Sequence, residues 1–285
     1  MANKTDVTTT KDDKSKAPAV LDGYDLDDLI ADAGVGSEEL AAEDIAIPYL
    51  GILQGLSPQV TEGKEGYIEG ARASMLFNNV TGDIYEGRKE GLMIVPCYYN
   101  KKWNVWMDRD AGGGLVDVHD TADILQDCEK NEKGQWVLKD NKQMLVFETA
   151  YHYVIRLNEE NGEMERMVIG LKSTGLKANR KLNHAITSAK IPGHPTVTAP
   201  RFMFAYQLTT FLEEKNGNSW WSPEFKRKKD PVAPHVYAEA KSYYELVKSG
   251  DVKIAEEPAI ESGGSHDDGN NATPNGKSDT DEIPF

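Results

Sequence analysis

Residues 144–157 read Met144-Leu145-Val146-Phe147-Glu148-Thr149-Ala150-Tyr151-His152-Tyr153-Val154-Ile155-Arg156-Leu157. The stretch is rich in β-branched and aromatic residues and holds neither glycine nor proline, so it predicts one long strand. Asn158-Glu159-Glu160-Asn161-Gly162 follows with the polar, glycine-terminated chemistry of a hairpin turn. Arg166-Met167-Val168-Ile169-Gly170-Leu171 predicts the returning strand. Adjacent strands joined by a short turn run antiparallel, which argues against a βαβ array.

The same signature recurs on both sides of this hairpin. Upstream, Gly91 to Tyr99 is the strongest strand signal, and Lys102-Trp103-Asn104-Val105-Trp106 continues it with β-formers. Ile47 to Leu53, Gly66-Tyr67-Ile68, Met75-Leu76-Phe77 and Gln135 to Leu138 read as shorter extended segments, with a turn at Thr81-Gly82-Asp83 and a loop at Ala111 to Gly114. Downstream, Phe202 to Phe211 is another long strand, and Asn216-Gly217-Asn218 turns the chain into Trp220-Trp221. Two helices are predicted. One starts at Ser173 or Thr174, carries Leu176, Leu182, Ala185, Ile186 and Ala189 on one stripe and stops at Pro192-Gly193; the other covers Tyr237 to Val247. The fold class is mainly β with minor α, as a closed or half-closed antiparallel barrel.

Charge divides the chain. Of its 285 residues, 1–46 hold 12 acids and 4 bases, and 251–285 hold 9 acids and 2 bases. The middle is balanced, with 26 of each, so the formal charge of −15 belongs to the two ends. Residues 1–44 read as an acidic, mostly disordered arm, apart from a short acidic helix near Tyr24 to Ile30, with Ser37-Glu38-Glu39 resembling a capped helix start. Residues 45–250 form the core, 251–280 a flexible acidic linker rich in Gly, Ser, Asn and Asp, and 281–285 a distinct tip.

Several classes fall away. No apolar run reaches the length of a membrane span and no signal pattern opens the chain, so a cytoplasmic protein is expected. Cys97 and Cys128 are too few for a disulfide framework, and Cys97 lies in an apolar run as a small hydrophobe. The six histidines show no metal-ligand spacing, and no phosphate-loop, nucleophile-elbow or zinc-protease motif is present. No cofactor, metal or catalytic residue is assigned, and the chain reads as a non-enzyme.

What remains is a nucleic-acid signature. Binding a single strand takes cations along a groove and aromatic faces for the bases. Tyr98, Tyr99, Lys101, Lys102, Trp103, Trp106 and Arg109 interleave both kinds within twelve residues. On a strand, Lys101 and Trp103 share one face and Lys102 and Trp106 the other, so only one set faces the ligand. Residues 166–201 hold seven cations and no acid. Among these Lys172 adds charge, and Lys177, Arg180 and Lys181 fall together on the predicted helix surface, placed for phosphates. Trp220 and Trp221 add stacking candidates, with core packing equally open to them. Lys226 to Lys229 reads as a solvated loop. Tyr151 and Tyr153 share a strand face, and core is the better reading for one of them.

The chain ends Asp281-Glu282-Ile283-Pro284-Phe285. Apolar residues at the end of a solvated tail gain nothing until a partner supplies a pocket, so this reads as a docking peptide with acids that attract a basic rim. The tip resembles that of bacterial single-stranded DNA-binding proteins, which end in acids followed by Ile-Pro-Phe. The core is longer than theirs. It is more similar to the single-stranded DNA-binding proteins of tailed bacteriophages, in Ile47 to Pro58 and in the block from Tyr98 to Gly114. That resemblance implies an OB-fold-like barrel enlarged by insertions. It implies a protein that coats and protects single-stranded DNA without sequence preference during phage replication and recombination. Its tip would recruit replication, recombination and repair proteins. A homo-oligomer stays open. The alternatives are a strand-annealing or recombination mediator and, behind it, a Mg²⁺-dependent nuclease drawing on Asp108, Asp110, Asp117, Asp120 and Asp123.

Overall fold

The computed structural model describes residues 26–39, 46–215, 217–250 and 253–255. The chain forms two units, split between Ala41 and Ala42. Of the first, the described part holds one helix, α1 (Leu26–Ala31), with Asp27 and Asp28 in its first turn, where acids complement the helix dipole. The linker and tip, apart from 253–255, lie outside the described residues.

The second unit is built on two long strands, β5 (Leu92–Met107) and β9 (Met144–Leu157). They pair antiparallel along almost their whole length, from Met93↔Leu157 to Met107↔Met144. At one end they are flanked by β10 (Met164–Lys172), which pairs with β9, and β13 (Phe204–Lys215), which pairs with β5; β14 (Asn218–Pro231) continues the sheet beyond β13. At the other end β6 (Leu115–His119) pairs with β5, while β8 (Trp136–Leu138) pairs with β9 and carries β7 (Cys128–Lys130). The β9–β10 turn is the predicted one. Gly162 takes φ 78°, and its N–H donates to Asn158 O at 2.9 Å. Pro96 inside β5 is tolerated because a register shift between Pro96 and Tyr98 falls there, and β13 pairs only with Leu92 to Ile94.

The sheet curls into a half-barrel. A chain segment containing β1 (Ala46–Ile47) and β2 (Leu50–Ile52) crosses its open side. Tyr49 bridges Val168 of β10, and the Val168 N–H donates to Pro48 O at 2.9 Å. At the opposite edge the Gln54 amide makes both hydrogen bonds of a strand partner to Trp221: its Nε2 donates to Trp221 O at 2.9 Å and its Oε1 accepts the Trp221 N–H at 2.8 Å. β2 also pairs with β3 (Leu76–Asn78), which pairs with β4 (Ile84–Tyr85).

Both faces of the curled end are apolar, and the period-two alternation sorts them. Ile94, Val154, Met167, Ile169, Leu171, Tyr206 and Leu208 point into the barrel and meet Leu182 and Ile186 of α2 (Gly175–Thr187). Val95, Cys97, Tyr151, Tyr153, Ile155 and Val168 point outward against Val236, Ala240, Tyr243 and Val247 of α3 (Pro234–Ser249). Tyr151 and Tyr153 are thus both core residues. Cys97 is buried, and that burial pushes its thiol far up, so it is inert as a nucleophile.

Three local expectations are corrected. The α2 helix stops at Thr187, before Pro192-Gly193, because the Thr187 and Ser188 hydroxyls take up the carbonyls of Asn183 and Ala185. Pro192-Gly193 instead turns β11 (Lys190–Ile191) into β12 (His194–Thr198). Residues 66–68 are a loop, as Gly66 takes φ 82° and the Ile68 N–H goes to Gln59 O. Lys226 to Lys229 belong to β14, where Tyr206↔Arg227 and Gln207↔Lys226 pair, and they line an edge strand with charge that resists further pairing. The strand β15 (Lys253–Ile254) pairs in parallel with β1.

Candidate nucleic-acid interface

Past the barrel, β5 and β9 run on into a second, smaller core of Val105, Val146 and Cys128, with Trp103, Trp136 and Leu138 packed at its margin. Here the sheet faces an open groove of about 420 Å³. Three elements enclose it. The strands supply Trp103, Trp136 and Glu148; the start of α2 supplies Ser173, Lys177 and Arg180; the tip of the β13–β14 hairpin supplies Glu213, Lys215 and Trp220. Three indole rings and three cations from distant parts of the chain therefore border one cleft.

Carboxylates position Lys177 and, at the groove's edge, Lys101. Lys101 sits 6.0 Å from the Trp103 ring centroid and pairs with Glu148 at 3.3 Å. Lys177 pairs with Glu213 at 3.3 Å. Glu213 also accepts the Trp220 indole N–H at 3.2 Å and the Ser222 hydroxyl at 2.7 Å, so one carboxylate orients the ring and the ammonium together. Burial pushes Glu213 up, but the hydrogen bonds from Ser222, Lys177 and Trp220 outweigh it and hold the carboxyl below its ordinary range. Arg180 is exposed and makes no ion pair with any described residue. Ser173 takes φ 50°, a left-handed conformation at the point where β10 hands the chain to α2.

Of the residues singled out in the sequence, Trp103, Lys177, Arg180 and Trp220 line this groove, with Lys101 at its edge. Lys102 and Trp106 lie on the opposite face, as strand alternation requires; Lys102 pairs with Asp120 at 2.9 Å, and Lys172 stands 3.9 Å from the Trp106 ring centroid. Tyr98 packs on Tyr153 and Tyr244, against α3. Lys181 is exposed on α2 but does not line the groove. Trp221 is bound through its backbone to Gln54, with Arg88 5.4 Å from its ring centroid. Arg109 starts a short 3₁₀ turn, and its side chain lies outside the described residues, as do Asp281, Glu282, Ile283, Pro284 and Phe285.

Trp136 and Lys215 are the aromatic and cationic groove residues not singled out in the sequence, as are the carboxylates Glu148 and Glu213. Trp136 sits in a three-residue strand between turns, and Lys215 at a hairpin tip; only tertiary contact brings them to the site.

The chain is thus a mainly β protein whose curled half-barrel sheet carries an aromatic and cationic cleft. Residues 14–253 match the model of the Pam3 phage gp34-like protein family, and the chain belongs to that phage family. No curated protein and no solved structure matches it. Among the described residues no helix is long and apolar enough to cross a membrane.

Proposed function

We propose that the groove binds single-stranded DNA and that the protein coats and protects such strands in phage DNA replication and recombination, without catalysis. The observation that carries this reading is the gathering of Trp103, Trp136 and Trp220 with Lys177, Arg180 and Lys215 around one open cleft. Aromatic faces accept any base by stacking, and cations track the phosphates, so the pairing of the two serves a strand without regard to sequence. A groove bordered by half-exposed rings suits unpaired bases. A duplex hides the faces of its bases in the stack and offers an aromatic ring only base edges and phosphates.

The acidic, apolar tip from Asp281 to Phe285 complements this role as a peptide that recruits replication, recombination and repair proteins. A single strand held by a tethered, tip-bearing protein brings those partners to the DNA at high local concentration.

Titration of the intrinsic tryptophan fluorescence with oligo-dT, at low and high salt and beside a matched duplex, tests the proposal. Quenching by the single strand, weak response to duplex and loss of binding at high salt are expected. Equal affinity for duplex, or no quenching by the single strand, overturns it. A strand-annealing assay separates simple coating from the pairing activity of a recombination mediator.

A further inference from the structure

Opposite the groove, on the other face of the same sheet, three adjacent strands place Lys102, Thr149 and Lys172 side by side. The register pairs Lys102 with Thr149 across β5 and β9, and Thr149 with Lys172 across β9 and β10. Paired residues point to the same side of a sheet. The three side chains thus form one rung, with a hydroxyl between two ammonium groups on strands about 10 Å apart.

Two donors on this face are built in and left open, Thr149 in the rung itself and Trp106 four residues along β5, where it pairs with Leu145. Thr149 is fully buried, at 0% exposure, and its Oγ1 finds no hydrogen-bond partner. Trp106, at 7% exposure, lies under Lys172, and its Nε1 also finds none. A buried hydroxyl and a buried indole N–H without partners each forfeit the hydrogen bond they made to water unless something is bound there. Lys102 and Lys172 are half-buried above them, so charge stands over the open donors.

We infer that Lys102, Trp106, Thr149 and Lys172 form an oxyanion site, distinct from the groove, that takes a phosphate group. Two cations supply the charge complement, and the hydroxyl and indole N–H supply directional donors. Asp120 holds Lys102 from the exposed side and gives way to the incoming anion. The phosphate has two sources, a phosphodiester of a strand that continues around the sheet or a free phosphate. The site does not depend on the groove's reading, since inorganic phosphate alone probes it.

The chain has five tryptophans and so five indole N–H resonances. Inorganic phosphate, titrated into the full-length ¹⁵N-labelled protein at constant ionic strength against chloride, is expected to move one of them saturably. That resonance is assigned to Trp106 by Trp106→Phe or, should that variant fail to fold, by its nuclear Overhauser contacts to Leu145 across the strand pair. Thr149→Val, which keeps shape and removes the hydroxyl, and Lys172→Gln each weaken the phosphate effect by about tenfold. If oligo-dT moves the Trp106 resonance as well, the source is the strand. If only phosphate moves it, the site serves the free ion. A Trp106 resonance indifferent to both, or a phosphate effect unchanged in Thr149→Val and Lys172→Gln, overturns the inference.

Discussion

Arg201 donates through Nη2 to Nδ1 of the buried His152 at 2.8 Å, and this one contact fixes the histidine's proton. An arginine only donates, so Nδ1 is the acceptor and the ring hydrogen sits on Nε2, which donates to Asn179 Oδ1 at 2.8 Å. Asn183 closes the circuit: its Nδ2 donates to Asn179, and its Oδ1 accepts from Arg201 at 3.1 Å. The network ties β9 to α2 and to the segment before β13.

Burial, reinforced by the adjacent guanidinium, pushes His152 down from 6.5 to about 3. The folded protein therefore keeps a neutral ring while the unfolded chain takes up a proton below pH 6.5. Between those two values the unfolded state binds more protons, so this residue's contribution to stability is complete above pH 6.5 and declines as pH falls toward 3. His152→Gln is expected to lower the melting temperature at pH 7.5 and to flatten its decline between pH 6.5 and 5. Thermal melts across that range check the sign.

Trp103→Ala and Trp220→Ala are each expected to weaken oligo-dT binding by about 1–3 kcal/mol, the worth of one stacked base. Trp221→Ala is expected to leave that affinity within about 0.5 kcal/mol, because Trp221 is outside the groove. Fluorescence or anisotropy titration of the three variants, each first shown to be folded by circular dichroism, distinguishes the two tryptophans of this adjacent pair.

Glu213→Gln keeps an oxygen for the Trp220 and Ser222 donors but releases the charge that holds Lys177. Affinity for oligo-dT at low salt is expected to rise about two- to fivefold, the scale of an exposed ion pair. The wild-type carboxyl, held below its ordinary range, adds stability that is present above pH 4.5 and lost as pH falls through its folded value. The variant lacks that acid-sensitive component, and paired acid denaturation curves show it.

Gly87→Ala is expected to destabilise the fold by about 2–4 kcal/mol. A Cβ there would stand 2.0 Å from Ser74 O and 2.7 Å from the Thr210 hydroxyl oxygen. Neither can retreat, since the Thr210 N–H donates to Gly87 O at 2.6 Å and its hydroxyl donates to Ser74 O at 2.7 Å. Urea denaturation of the variant measures the cost.

The long strands were legible because their residues speak locally. MLVFETAYHYVIRL has no alternative to a strand, and Asn158 to Gly162 has no alternative to a turn. The alternation along β5 also separated Lys101 and Trp103 from Lys102 and Trp106, as the two faces show. The groove was legible only in part. Trp103, Lys177, Arg180 and Trp220 stand 117 residues apart at the extremes in sequence, and nothing local says that they meet. Trp136 reads only as part of a short strand, with no sign of a site until β8 docks on β9. Tyr98 shows the converse: its neighbours in sequence suggested a ligand, while its neighbours in space are Tyr153 and Tyr244. β6 went unread because it is only five residues long, Leu115 to His119, and its apolar Val116 and Val118 are exposed instead of packed on the core.

The Gln54 amide meets Trp221 as if it were a peptide group, and that gives the molecule a seam. The strand pairs of the curled sheet are ladders that must unzip rung by rung. The seam is a single button, two hydrogen bonds wide, on a side chain that can rotate away without dragging its backbone. Trp221 is the neighbour of Trp220, so the seam runs beside the groove. Slack at the groove's edge can be let out at Gln54 while the ladders of the sheet stay sewn.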